Sequence, residues 1–274
     1  MDAFSEKEPE FLVASRKLMT KLFSGNIHAG MVLKETLLSK EFEVSRRAMR
    51  EALCMAVGWG IVEYVPFCGY RIRDFSLGDL LDWYQLREAI ETIAVRELAE
   101  NRPPEVLREL EAILNETTDT NDEYPDRSRN EIAFHLTIVN GCGNKRFADP
   151  AILCPFAVIF GISNDALVEL NYRNHSFPNI LEASNSPEAY RDLVQGGSQD
   201  VHREFFELIR DGKRERAESR LREHIHFHCD LLKNSIRIYG DRDTPINELL
   251  KRKPGSSKRM IRNLIRGRQN LTVQ

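Results

Sequence analysis

Glu131 and His135 lie four residues apart in the run EIAFHLTIV. At about 100° per residue that spacing sets both on one helix face, flanked by Phe134, Ile138, Ile132 and Val139. His202 falls mid-arc among Phe205, Phe206 and Ile209, and His224 shares a face with Ala217, Leu221 and Leu231. Helical cores keep such faces apolar, because an unpaired buried carboxylate or imidazole is costly. Four of them turned inward point to a shared partner, and three imidazoles with a carboxylate are a normal ligand set for a divalent transition metal, Zn²⁺ first among several. The plainer reading gives each residue its own hydrogen bonds in a core or cleft. Arg87 extends the pattern: it interrupts an apolar arc of Leu80, Trp83, Leu86, Ile90, Ile93, Ala94 and Leu98. A buried guanidinium needs a carboxylate. Glu91 on the next turn or Glu131 could supply it; alternatively, Arg87 clamps a small acid whose other oxygen reaches the metal.

The elements that must position these residues are helical. Periodicity predicts helices near 78–100, 104–115, 127–141, 146–168, 188–211 and 213–236, with NYRNHSFPNILEASNSPEAY as a long loop. Upstream, FLVASRKLMTKLFSG reads as an amphipathic helix closed by Gly25, followed by the turn NIHAGM and a short helix from Glu35 to Phe42. A third helix, RRAMREALCMAV, starts after Ser45 as N-cap and stops at Gly58. Two short alternating runs, IVEYV and YRIRDF, joined by PFCG, form the one convincing hairpin. The expected division is therefore 1–76, 77–238 and a basic tail 239–274, expected to be a loosely attached helix or disordered.

Composition narrows the function classes. The chain has 274 residues, 42% hydrophobic and 30% charged, ordinary for a soluble globular protein of one or two domains. Residues 251–274 carry eight Lys or Arg and no acid, so the first 250 residues hold 31 basic against 42 acidic side chains, a balance of −11. A case for nucleic-acid binding must then be local. Five cysteines without CxxC spacing fit a reduced cytoplasmic compartment. MDAFSEKEPE lacks the apolar core of a signal peptide, and PAILCPFAVIFGIS is too short to cross a bilayer, so no membrane partner is expected.

The local case is the third helix. Three helices and a hairpin in this order make a winged helix-turn-helix, whose third helix offers polar and basic residues at its N-terminal end to the major groove. Ser45-Arg46-Arg47-Ala48-Met49-Arg50 does so, with Ala52, Leu53, Ala56 and Val57 available for the inner face. Arg46 and Arg50, one turn apart, could reach phosphates or guanine edges, and Arg71 and Arg73 on the hairpin could meet the backbone or minor groove. The competing reading is a solvated helix end paired with Glu41, Glu43 and Glu51.

The stretch SGNIHAGMVLKETLLSKEFEVSRRAMREALCMAVGWGIVEYVPFCGYRIRDF resembles the N-terminal domain of GntR-family transcriptional regulators. Gly25, Gly30, Leu33, Glu35, Val44, Ser45, Arg46, Arg50, Glu51, Ala52, Leu53, Val62 and Gly69 fall on the family pattern. The resemblance implies DNA contacts from Arg46 and Arg50 and a wing glycine, Gly69, close to DNA; Ser45, Arg47 and Arg71 complete the expected DNA-binding set. Ala48 and Thr36 depart from the family's usual proline and arginine. The helical remainder resembles the FCD effector domain through WYQLREAIETIAVRELAE, EIAFHLTIVNGCGN and VHREFFELIRDGKRERAESRLREH. In its metal-binding form that family has Asp-x-x-x-His, a His opening the penultimate helix and a His in the last. Glu131, His135, His202 and His224 occupy those positions, with glutamate in place of aspartate. His226 points about 160° away from His224, while His228 shares its face and is a reserve ligand; His175 and His28 fall in loops.

These readings imply a mainly α protein: a winged helix-turn-helix followed by an all-helical antiparallel bundle. The function expected is that of a homodimeric, non-enzymatic DNA-binding regulator. Its effector domain would hold a divalent metal, with Zn²⁺ as cofactor, and a small carboxylate effector at Arg87. Double-stranded operator DNA is the expected macromolecular partner. A metal-dependent hydrolase or lyase with a nucleic-acid-binding appendage, and a direct metal sensor, are the alternatives. Four protein ligands and the lack of an H-E-x-x-H glutamate weigh against the enzyme.

Overall fold

Ala14, Leu18 and Leu22 recur along α1 (Glu10–Phe23) at helical spacing, and that buried stripe packs on α3 (Arg46–Gly58). The computed structural model describes residues 8–23, 28–116, 124–172, 198–239, 241–249 and 251. Between these two helices come β1 (Val32–Leu33) and α2 (Glu35–Glu41). Ser45 caps α3, its Oγ accepting from the Ala48 N–H at 3.2 Å, which satisfies one donor that a helix start leaves open. The Glu10 carboxylate accepts from the Ser45 N–H and Oγ at 2.7 Å each, so the first helix clamps the start of the third. Ala48, Met49, Ala52, Leu53 and Ala56 form the inner face of α3. Val57, expected there, stands exposed.

The hairpin is β2 (Val62–Val65) and β3 (Gly69–Ile72), with Tyr64 opposite Tyr70 and Glu63 opposite Arg71. It gains a third member. β1 pairs antiparallel with β3, giving the order β1-β3-β2. Two residues are too few for an alternating pattern, so the sequence alone showed only the hairpin.

Ser76 begins the bundle. It and Asp79 form a reciprocal capping box at the start of α4 (Leu77–Asn101). α5 (Pro104–Glu116), α6 (Tyr124–Gly141), α7 (Pro150–Tyr172), α8 (Ser198–Arg210) and α9 (Arg214–Tyr239) follow. α4 is the axis, packed against α6, α7, α8 and above all α9. It fully buries Leu77, Leu80, Ala94, Val95 and Leu98, each large aliphatic contributing about 1.5–3 kcal/mol over exposure. The helix expected from 146 starts at Pro150, after a turn at residues 144–149, because a proline favours the first helical position. Gly25, residues 173–190 of the expected loop with His175, the expected helical start over 188–197 and the tail from 252 lie outside the described residues.

The segment directly after α9 departs from the expectation of a loose tail from 239 over its described residues. Residues 241–249 return to the junction of the two modules, where a short α10 (Ile246–Leu249) buries Ile246 and Leu249. The Gly78 N–H donates to Arg242 O at 2.9 Å, the Ile246 N–H to Phe75 O at 2.9 Å, and Asn247 Nδ2 to Ala29 O at 2.8 Å. Two glycines admit this strap. A Cβ on Gly78 would sit 2.5 Å from Arg242 Cγ, and one on Gly30, at φ +76°, would sit 3.0 Å from Asn247 Nδ2. The strap escaped the sequence reading because its anchors are non-local backbone hydrogen bonds, invisible to composition. Among the described residues no helix is long and apolar enough to cross a membrane.

Candidate functional site

Two groups of ionisable residues stand out, one on the surface of the N-terminal module and one inside the bundle. On α3, Arg46, Arg47 and Arg50 are exposed, but none is isolated. Glu35, at the start of α2, takes both Arg50 (2.8 Å) and Arg46 (3.3 Å), and those hydrogen bonds, Arg50's first, hold its carboxyl below the usual range. Arg47 pairs with Glu51 one turn on. Arg71 pairs across the hairpin with Glu63 at 2.7 Å. Arg73 lies past the end of β3 and pairs with Asp79 of α4. The expected ion-pair partner Glu51 is thus present, whereas Glu35 takes the place expected of Glu41 and Glu43. Tyr70 ties the wing to α3: its hydroxyl lies 3.3 Å from Cys54 Sγ, one turn beyond Arg50, and burial pushes the phenol up to about 12.

Inside the bundle, α6, α8 and α9 bring His135, His202 and His224 together, with one donor atom of each within 4.8 Å of the others and all three buried. His135 Nε2 faces His202 Nε2 at 3.1 Å. Glu131, one turn before His135, approaches His202 Nε2 at 3.9 Å but does not join the convergent three. The fourth expected ligand therefore stands at the edge of the group. His228, one turn beyond His224, packs against both the His224 and Tyr84 rings, at 4.8 and 5.8 Å between centroids. His226 faces outward and pairs with Glu88, as its angular offset required.

α4 supplies the residues behind the imidazoles. Arg87 Nε donates to Glu91, and the other Glu91 oxygen accepts from His135 Nδ1 at 2.5 Å. With Glu91 ionised, a neutral His135 carries its proton on Nδ1 and turns its Nε2 lone pair to the cluster, the arrangement by which a carboxylate orients a metal-binding histidine. Glu91 is fully buried, and burial raises its carboxyl against the pull of Arg87. Arg87 lies 4.0 Å above the centre of the Phe160 ring. Among the described residues, its two terminal nitrogens have no partner, nor do His224 Nε2 and His228 Nδ1. Burial pushes all four imidazoles down: His135 and His224 well below their ordinary value, His202 less, and His228 to about 4. Neutral imidazoles keep lone pairs available, and an orphaned buried nitrogen beside two convergent ones is a donor set that fits a divalent cation.

Glu91 as the orienting carboxylate escaped the sequence reading, which considered it only as a partner for Arg87. Its signal was its four-residue spacing from Arg87 along the buried side of α4. The link to His135 crosses between helices and left no local trace. Arg87 itself is buried, and Glu91 bridges it to His135.

Residues 82–227 match the FCD domain, and residues 13–72 match the bacterial regulatory proteins of the gntR family. The chain belongs to the gntR family, with an FCD domain. The YdhC HTH-type transcriptional regulator of Bacillus subtilis strain 168 is 25% identical over 241 residues, 86% of this chain and 97% of that protein. A GntR transcriptional regulator of Rhodococcus sp. RHA1 superposes with a TM-score of 0.61 at 16% identity, over 82% of this chain and 97% of that one. McbR/YncC of Escherichia coli gives 0.59 at 19% identity, over 83% and 99%. At these identities the two structures speak for the fold alone. The regulator is thus a DNA-binding transcription factor and not an enzyme, which removes the hydrolase or lyase alternative.

Proposed function

We propose that this gntR-family regulator senses a small carboxylate metabolite through a divalent metal in its FCD domain and transmits binding to a DNA-reading face. The observation that carries the reading is the convergence of three buried, neutral imidazoles beside Arg87, whose terminal nitrogens lack partners among the described residues. His135, His202 and His224 would hold the ion, with Glu131 at its edge, and Zn²⁺ is the first choice for imidazole donors. The ion would supply positive charge and an open position for an acidic oxygen. Arg87 would take the carboxylate through its two unpaired nitrogens, a bidentate geometry that guanidinium suits. Those nitrogens favour a metabolite reader over a sensor of the metal alone, which would need no anion site.

At the other end, Arg46 and Arg50 would leave Glu35 for base edges or phosphates, with Ser45, Arg47, Gly69 and Arg71 alongside. A single winged helix reads few base pairs, so a homodimer on a pseudo-palindrome is the expected working form, in the cytoplasm where operator DNA lies. Leu86 and Ile93, seven residues apart and exposed on α4, give a second copy an apolar strip.

Metal analysis of protein purified without chelator tests the reading. One ion per chain is expected, lost in His202→Ala, and saturating Zn²⁺ at about a thousand times its dissociation constant adds about 4 kcal/mol of stability. A native chain without metal, whose melting Zn²⁺ and chelator leave unchanged, would make the cluster a polar core network.

A further inference from the structure

The hairpin turn carries a side chain that DNA reading by α3 does not use. Phe67 is 106% exposed, a whole aromatic ring standing in water. Its backbone is also unusual: φ is +66°, and the Cys68 N–H donates to Val65 O at 3.0 Å. That is a four-residue turn with Pro66 at the second position and a left-handed third position, where glycine or asparagine is the ordinary choice. A bulky side chain there is strained. Folding gains nothing from the ring, since it touches no core, and glycine would make the same turn at lower cost. Neither local structure nor packing accounts for this residue.

What surrounds the turn does suggest an occupant. Tyr64, also exposed, packs edge-on against Tyr70 at 5.3 Å between centroids, and Tyr70 reaches Cys54 of α3. The wing is thereby locked beside the helix bearing Arg46 and Arg50, with Arg71 on its third strand. Pro66 fixes one backbone torsion beside Phe67, so less freedom is lost at the turn on binding. A surface continuous with a cationic helix faces a polyanion. Apolar side chains presented by proteins to the DNA minor groove act as wedges at base steps, unstacking them and favouring easily deformed sequences.

We propose that Phe67 is such a wedge: with α3 in the major groove, its ring enters the adjacent minor groove and loosens a base step. This makes Phe67 a specificity determinant that reads deformability rather than hydrogen-bond pattern. The proposal rests on the assignment of α3 as the recognition helix, and the controls separate the two.

The test uses the full chain and a duplex enriched from a randomised pool against it, carrying 2-aminopurine at successive positions. Phe67→Ala and Phe67→Gly should weaken binding roughly tenfold, the worth of one lost aromatic burial, while Phe67→Trp retains it. The loss should leave the salt dependence unchanged, because no phosphate contact is removed. The rise in 2-aminopurine fluorescence at one step should vanish with Phe67→Ala. Phe67→Gly should melt higher than the native chain, so stability and affinity move in opposite directions. Arg50→Ala should instead weaken binding and flatten its salt dependence. If Arg50→Ala has no effect and Phe67→Ala does, the recognition-helix assignment fails and the proposal falls with it; if Arg50→Ala weakens binding and Phe67→Ala does not, the wedge alone falls. Native affinity in Phe67→Ala overturns the wedge. So does loss of the dimer in sedimentation, which would give the ring to a protein interface, or an enriched duplex whose stacking never changes.

Discussion

Arg50 and Arg87 are the same side chain, each paired with a glutamate, and they illustrate opposite uses of charge. The Arg50 side chain is 60% exposed and pairs with Glu35, whereas Arg87 and Glu91 are 5% and 0% exposed. In water-screened surroundings a pair contributes about 0–1 kcal/mol and can be exchanged for DNA at little cost. Inside the bundle each charge has lost its hydration, so every unsatisfied atom is expensive. The surface arginines are paired while still largely in water; the buried arginine has terminal nitrogens with no partner among the described residues.

Removing the buried partner should therefore have the largest effect. Glu91→Ala strands the Arg87 guanidinium and frees the His135 ring, and should cost about 3–5 kcal/mol of stability in urea denaturation. A cost below 1 kcal/mol would erase the distinction between the two sites.

The two regions should also fail at opposite ends of the pH scale. Below about 6.5 the unfolded chain protonates His228 while the folded chain resists until about 4. The metal-free bundle should lose about 3 kcal/mol across that window as pH falls. Tyr70 reverses the sign: the unfolded phenol ionises near 10 and the folded one near 12, so the winged module should weaken as pH rises between them. Circular dichroism melts from pH 4 to 11 would detect both, and a pH-independent melting temperature below 6.5 would contradict the buried neutral cluster.

Arg46→Ala and Arg50→Ala should leave the fold intact and each weaken operator binding by about 1–3 kcal/mol if bidentate to a base. Arg47→Ala, which breaks only an exposed pair, should change stability by less than about 1 kcal/mol. Titration against the selected duplex by anisotropy separates these outcomes. Native affinity in both Arg46 and Arg50 variants would move DNA reading elsewhere.

The smallest effect concerns the basic end. Deleting residues 251–274 removes eight cations but spares the anchors Arg242, Ile246 and Asn247. It should flatten the salt dependence of DNA binding slightly and preserve sequence preference. A fall in melting temperature of several degrees would show that the strap depends on the chain beyond it.

The winged module was legible in the sequence because its signals are local: the Ser45 cap, the alanine and leucine spacing of α3, and the hairpin's alternation each span a few residues. The three histidines were legible for a related reason, since each breaks an apolar helical face and such a break is visible one helix at a time. Periodicity thus determined which residues turn inward, and with them the helical class of the fold. Tertiary structure alone decided which of those inward groups meet. It left Glu131 at the edge of the histidines, set Glu91 between Arg87 and His135, and folded residues 241–249 back onto Ala29 and Phe75. Such contacts join residues far apart in sequence, and their geometry follows from how whole helices pack rather than from any pattern within one of them.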